Sequence, residues 1–102
     1  MSFLSRELCQ DLKDLGFDQT LVEGDRIYQG GDTEALLVSS PEGTMEAQGD
    51  AYLRCPSLET LMEESGAESI VKEGDQWVAR KEGGEEAGTT REEAAARLWL
   101  AR

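Results

Sequence analysis

Histidine is absent from this chain of 102 residues. Without it there is no Ser-His-Asp or Cys-His nucleophile arrangement, no imidazole general base, and none of the commonest zinc ligand. Cysteine is almost as scarce: Cys9 and Cys55 are the only two, and their separation rules out a Cys-x-x-Cys site. "MSFLSREL" has neither the basic start nor the apolar middle of an export signal, so both cysteines are expected to be reduced, buried thiols. No apolar run approaches the ~20 residues of a bilayer span, which predicts a soluble, cytoplasmic chain without membrane contact. Positive charge is also in short supply, with ten Lys and Arg against 22 Asp and Glu and a formal net charge of -12. A basic face for phosphates is therefore missing, and direct nucleic-acid binding is excluded.

The glycine-rich stretches "GGDTE" and "EGGEEAG" place carboxylates where a phosphate cradle would repel its ligand. No segment has the alternating acids, glycine and terminal glutamate of an EF-hand. Paired carboxylates for glycoside hydrolysis need a deep cleft around a sugar ring, which a domain of this size rarely builds. The expectation is a protein that is not an enzyme, with no catalytic residues, no metal and no cofactor.

What is present has period and punctuation. Leu4, Leu8, Leu12 and Leu15 recur at helical spacing, with Ser5 as a cap and Gly16 as a stop. "CPSLETLMEESG" offers Pro56 and Ser57 at a helix start, Leu58, Leu61 and Met62 as a stripe, and Gly66 as its end. In "GTTREEAAARLWLAR", Thr90 and Glu93 have capping-box spacing, and Ala94, Ala95, Leu98 and Ala101 form an inward face. Between these helices the period falls to two: "TLVE" and "RIYQ" flank Gly24-Asp25, "ALLVSS" precedes a turn at Pro41-Glu42-Gly43, "TMEAQ" follows it, and "SIVKE" and "QWVARK" flank Gly74-Asp75. The pattern predicts one small globular domain over residues 1–102, of α+β class. An antiparallel sheet packs with three helices in the order α-β-β-β-β-α-β-β-α, and residues 82–88 are a mobile acidic loop. The expected core is Leu4, Leu8, Leu12, Leu15, Leu58, Leu61, Ile70, Val71, Trp77, Leu98 and Trp99.

A shift of 50 superposes Leu8 on Leu58, Leu12 on Met62, Gly16 on Gly66 and Glu23-Gly24-Asp25 on Glu73-Gly74-Asp75. This reads as a helix-hairpin pseudo-repeat over about 7–29 and 57–79. The doubled Glu-Gly-Asp is a turn in this reading. A metal loop would not need a helix stop seven residues upstream, whereas a helix feeding a hairpin would. Tyr28 and Trp77 sit at or beside equivalent repeat positions, and either could line a contact between copies, so monomer and homodimer stay open.

Glu7, Asp11, Asp14 and Asp18 are spaced four, three and four apart, and Glu59, Glu63 and Glu64 echo them on the second helix. Charge runs of this kind usually mark a solvated face. The functional reading is a partner-binding acidic face, whose field steers a basic protein.

"LCQDLKDLGF", "YLRCPSLETLMEE", "QWVAR" and "TTREEAAARLWLAR" together resemble a loose group of small phage and mobile-element proteins, some described as phage ABA-sandwich-like domains. The resemblance implies helices packed on a sheet and a phage or prophage origin, and it carries no catalytic or binding residues. This chain departs from the group in its acidity and in the insert "TEALLVSSPEGTMEAQ". The expected function is that of a small acidic accessory protein engaging a protein partner, with inhibition by DNA mimicry as the alternative.

Overall fold

The computed structural model describes residues 4–29, 35–49 and 51–101. Among them are α1 (Arg6–Asp14), β1 (Arg26–Gln29), β2 (Leu36–Leu37), α2 (Pro41–Gln48), β3 (Tyr52–Cys55), α3 (Leu58–Ser65), β4 (Ser69–Glu73), β5 (Gln76–Lys81), β6 (Gly84–Gly88) and α4 (Arg91–Leu100). This is an α+β fold, as the sequence predicts, with two antiparallel three-stranded sheets ordered β2-β1-β3 and β4-β5-β6. The contacts divide the chain into two compact units, Ser5–Pro56 and Ser57–Arg102 with Met1–Leu4. "GGDTE" falls outside the described residues.

In the N-terminal unit, Ser5 caps α1 by accepting the Leu8 N–H at 3.3 Å. The helix ends in a Schellman turn: the Phe17 N–H reaches the Leu12 carbonyl at 2.8 Å and the Gly16 N–H that of Lys13 at 3.1 Å, with Gly16 at φ +92°. That reversal corrects the expected core. Phe17 turns inward and is 3% exposed, while Leu15, predicted inside by its spacing, is 62% exposed.

Register puts Tyr28, Leu53 and Cys55 on one face of the first sheet, and Ile27, Tyr52 and Arg54 on the other. α1 covers the first face, where the Cys9 and Cys55 thiols are in hydrogen-bond contact. On the second, Leu21, Ile27, Val38 and Tyr52 form a buried cluster with Met45 packed against it. All of β3 is buried as a result. Its free edge is satisfied by side chains: Gln19 Oε1 accepts the Arg54 N–H at 3.0 Å, and Lys13 Nζ donates to the Tyr52 carbonyl at 3.1 Å.

Two expected strands are absent from this unit. "TLVE" joins neither sheet; Tyr52 donates its hydroxyl to the Gln19 carbonyl just before it, and Asp25 closes a turn on Val22. The fourth strand, expected around Met45, is helix α2. Pro41 stands in its first turn, where a fixed φ and a missing N–H cost nothing, and Met45 is its one large apolar residue, so no strand-like alternation exists.

In the C-terminal unit, Ser57 accepts the Thr60 N–H at 3.3 Å to start α3, and Gly66 at φ +75° stops it. Glu73 pairs with Gln76 around a two-residue turn whose first member, Gly74, has φ +63°. Asp75 does not share the positive φ, the pattern of a type II′ hairpin. Residues 84–88 correct the expected mobile loop: Gly84–Gly88 is strand β6, paired with β5 from Trp77 to Lys81. Polarity and glycine do not prevent pairing, because Glu85 faces Arg80 across the ladder and Gly88 lies where no side chain fits.

Thr90 caps α4, accepting the Glu93 N–H at 3.1 Å. The Glu93 carboxylate, expected to complete a capping box, instead accepts from the Thr89 hydroxyl at 2.7 Å and pairs with Arg97 at 2.8 Å. Ala94, Ala95, Leu98 and Trp99 are buried as predicted, with Ala96; Ala101, predicted inward, is exposed at the helix end. One sheet face meets this helix: Ile70, Trp77 and Ala79 pack with Ala94 and Leu98. Val71 points to the opposite face and is 39% exposed, which corrects its expected place in the core.

Candidate functional site

Each helix with an expected acidic face keeps its carboxylates in solvent. On α1, Glu7, Asp11 and Asp14 are exposed. Glu7 and Asp11 border a shallow depression of about 300 Å³ with Arg6 and Gln10, and Gln10 donates to Asp14 at 2.8 Å. Lys13, the one lysine on this helix, is turned away to the Tyr52 carbonyl. Glu7, Asp11 and Asp14 make no ion pair among the described residues.

Asp18 does not continue the stripe, because the helix stops at Asp14. Its carboxylate instead accepts the Thr20 N–H at 2.9 Å, and that bond, with a second from the Thr20 hydroxyl, holds its pKa below the usual carboxylate range. On α3, Glu59, Glu63 and Glu64 are exposed, with no Lys or Arg in the helix. Glu59 and Glu63 are one turn apart and share a face.

In the C-terminal unit Lys72, Arg80 and Lys81 lie on the sheet. Arg80 pairs with both Glu73 and Glu85, the latter at 2.9 Å. To reach Glu73 its side chain runs along the strand past Val78, shielding the middle of the apolar row Val71–Val78–Ala87. On the other face, Trp77 carries Arg91 at 4.7 Å and Lys72 at 5.9 Å from its ring centroid. Two further depressions of about 290 and 310 Å³ lie along Arg80 and Glu85 and are open to solvent.

Sequence reasoning missed one buried polar cluster. Asp25 and Arg54 form an ion pair at 2.7 Å, their side chains 0% and 5% exposed. Asp25 Oδ2 also accepts the Val22 N–H at 3.0 Å, and Arg54 donates to the Asp18 carbonyl at 2.9 Å with the Phe17 ring 5.8 Å away. Asp25 Oδ1 has no hydrogen-bond partner among the described residues. This cluster ties the turn before β1 to β3, which is a structural role. Its one local signal was Glu-Gly-Asp, read as a turn. Arg80 and its two glutamates could have been found had "EGGEEAG" been read as a strand.

Near the first sheet's α1 face, burial pushes the Tyr28 hydroxyl up to about 12, helped by the neighbouring Cys55 and Cys9 thiols. The Cys9 thiol is driven well above its usual range by its hydrogen bond to Cys55 and by burial, and so is no nucleophile at neutral pH. No group of three or more Cys, Asp or Glu side chains suited to a metal ion occurs among the described residues, and no helix among them is long and apolar enough to cross a membrane. No family model, curated protein or solved structure matches the chain.

Proposed function

We propose that this chain is a small, non-catalytic accessory protein of phage or mobile-element type, which works in the cytoplasm by presenting acidic helix faces to a basic protein partner. The observation that carries the reading is the acidic α1 surface: Glu7, Asp11 and Asp14 are exposed and make no ion pair among the described residues, while Lys13 is committed to the backbone. Such a face speeds encounter with a basic surface and repels nucleic acid. The motif resemblance supplies the phage-type setting.

DNA mimicry is a second reading, favoured by α3, where Glu59, Glu63 and Glu64 have no cation on their own helix. On α1 the run from Glu7 to Asp14 covers only about 10 Å at 1.5 Å per residue, roughly three base steps of one strand. Capture from host lysate with the chain as bait separates the two. Basic DNA-binding proteins released by competing duplex DNA indicate mimicry, and phage structural or replication proteins indicate the accessory role. Glu7→Gln, Asp11→Asn and Asp14→Asn combined should weaken capture of a partner that docks on α1. Undiminished capture by that variant would refute the α1 face.

A further inference from the structure

The β4-β5-β6 sheet has two edges, and they differ in what they could pair with. The two-residue turn makes Glu73 and Gln76 a hydrogen-bonded pair, so by alternation Ser69, Val71 and Glu73 commit their backbone groups to β5. Ile70 and Lys72 then point theirs outward. The strand is solvent-facing: only Ile70 is half-buried, and the other four residues are exposed. Val71, 39% exposed, is the open end of the row Val71–Val78–Ala87.

We propose that a second copy of the chain completes this edge, β4 pairing antiparallel with β4 about a two-fold axis at Val71. The register is dictated by the strand itself. Centring on Val71 overlaps all five residues and sets the outward groups of Ile70 against those of the second copy's Lys72, and the reverse, closing four backbone hydrogen bonds. Val71 meets its own copy in the closer, non-hydrogen-bonded type of pair, and the apolar row becomes six residues long across the two sheets.

Centring on Lys72 would oppose two lysines. Centring on Ile70 would bring in Glu68, whose N–H is already turned to the Arg80 carbonyl at 2.7 Å. The β6 edge cannot do the same, since its centre is Glu86, and self-pairing would set two carboxylates opposite each other. Five residues per copy make a contact smaller than the ~1,200 Å² of stable interfaces, so the dimer is weak. Because each copy carries a net charge of -12, association strengthens as salt screens the repulsion.

Cysteine cross-linking tests the register. Val71→Cys should form an intermolecular disulfide roughly tenfold or more faster than Ser69→Cys, since Cα atoms of such a central pair are ~4.5 Å apart, within disulfide range, while position 69 lies about four residues from its own copy. Amide exchange at Ile70 and Lys72 should slow as protein concentration rises, with no change at Val71. Val71→Lys should abolish that slowing. Equal cross-linking at positions 69 and 71, or exchange at Ile70 and Lys72 independent of concentration, would overturn the proposal.

Discussion

Replacing Gly88 by alanine adds one methyl group where the C-terminal unit has no room for it. Gly88 lies opposite Trp77 at the end of β6, with its backbone against the first turns of α4. A Cβ there would stand 2.6 Å from the Ala94 nitrogen and 2.9 Å from both the Glu93 carbonyl carbon and its Cβ. These are not flexible side-chain ends. The Ala94 N–H is bonded to the Thr90 carbonyl at 3.1 Å, and the first turn is fixed by the Thr90 cap. The helix would have to retreat as a body, loosening Ala94 and Leu98 from Ala79.

Overpacking of this kind costs ~1–3 kcal/mol, and contact with backbone places Gly88→Ala at the upper end. Gly84, on the same strand, is the control: its Cβ would meet Lys81 and Leu98 carbons at 3.8 and 3.9 Å, ordinary contact. Gly84→Ala should be neutral or stabilising by roughly 0.4–1 kcal/mol through the unfolded chain. The two variants should therefore differ by about 2–4 kcal/mol, or roughly 10–20 °C in Tm. Trp77 and Trp99 are the two tryptophans and both lie in the C-terminal unit, so urea denaturation followed by tryptophan fluorescence reads that unit. Equal midpoints for the two variants would refute the steric argument.

Phe17→Ala should cost ~3–5 kcal/mol and Leu15→Ser almost nothing, because the helix stop buries the first and exposes the second; thermal denaturation followed by far-UV circular dichroism measures both. Asp25→Asn should cost about 3–5 kcal/mol by leaving the buried Arg54 without a counter-charge, while Asp75→Asn, at an exposed hairpin, should stay within about 0.5 kcal/mol; calorimetry that ranks them alike would remove the ion pair from the account. The Tyr28 hydroxyl is raised in the fold to about 12 by burial, so its protonated form is favoured there. Its stabilising contribution is complete below the ordinary tyrosine value near 10 and is lost as pH climbs towards 12. Tyr52 and Cys9 shift in the same direction, and Tyr28→Phe should flatten the alkaline decline in urea midpoint.

The elements legible in the sequence are those whose determinants lie within a few residues. Ser5, Ser57 and Thr90 cap the helices predicted for them, and Gly74 turns the expected hairpin. α2 escaped because one large apolar residue in eight gives no period of either kind. β6 escaped because its support is non-local: Arg80 is five residues from Glu85, and the helix turn that requires Gly88 to lack a side chain comes later in the chain. The expected acidic stripe was legible at Glu7, Asp11 and Asp14 but not at Asp18, whose carboxylate is drawn to Thr20 beyond the helix end. The Asp25–Arg54 pair spans 29 residues and leaves no periodic trace.

The two Glu-Gly-Asp tripeptides show why a repeat in sequence need not be a repeat in structure. Each follows a helix stopped by a left-handed glycine, and in each the central glycine has positive φ: +98° at Gly24 and +63° at Gly74. The shared residues supply turn chemistry, and turn chemistry alone does not decide what happens next. After Gly74, a strand lies on each side of the turn, the ladder closes on Glu73 and Gln76, and Asp75 is left in solvent. Before Gly24 the chain has no strand to pair with β1, so the turn closes instead on the Val22 carbonyl, and β1 finds its partners in β2 and β3. That places Asp25 over β3, where a carboxylate is tolerable only because Arg54 meets it. The aspartate is a surface residue in one copy and half of a buried ion pair in the other: the missing strand before Gly24 turns it inward, and Arg54 on β3 makes its burial tolerable.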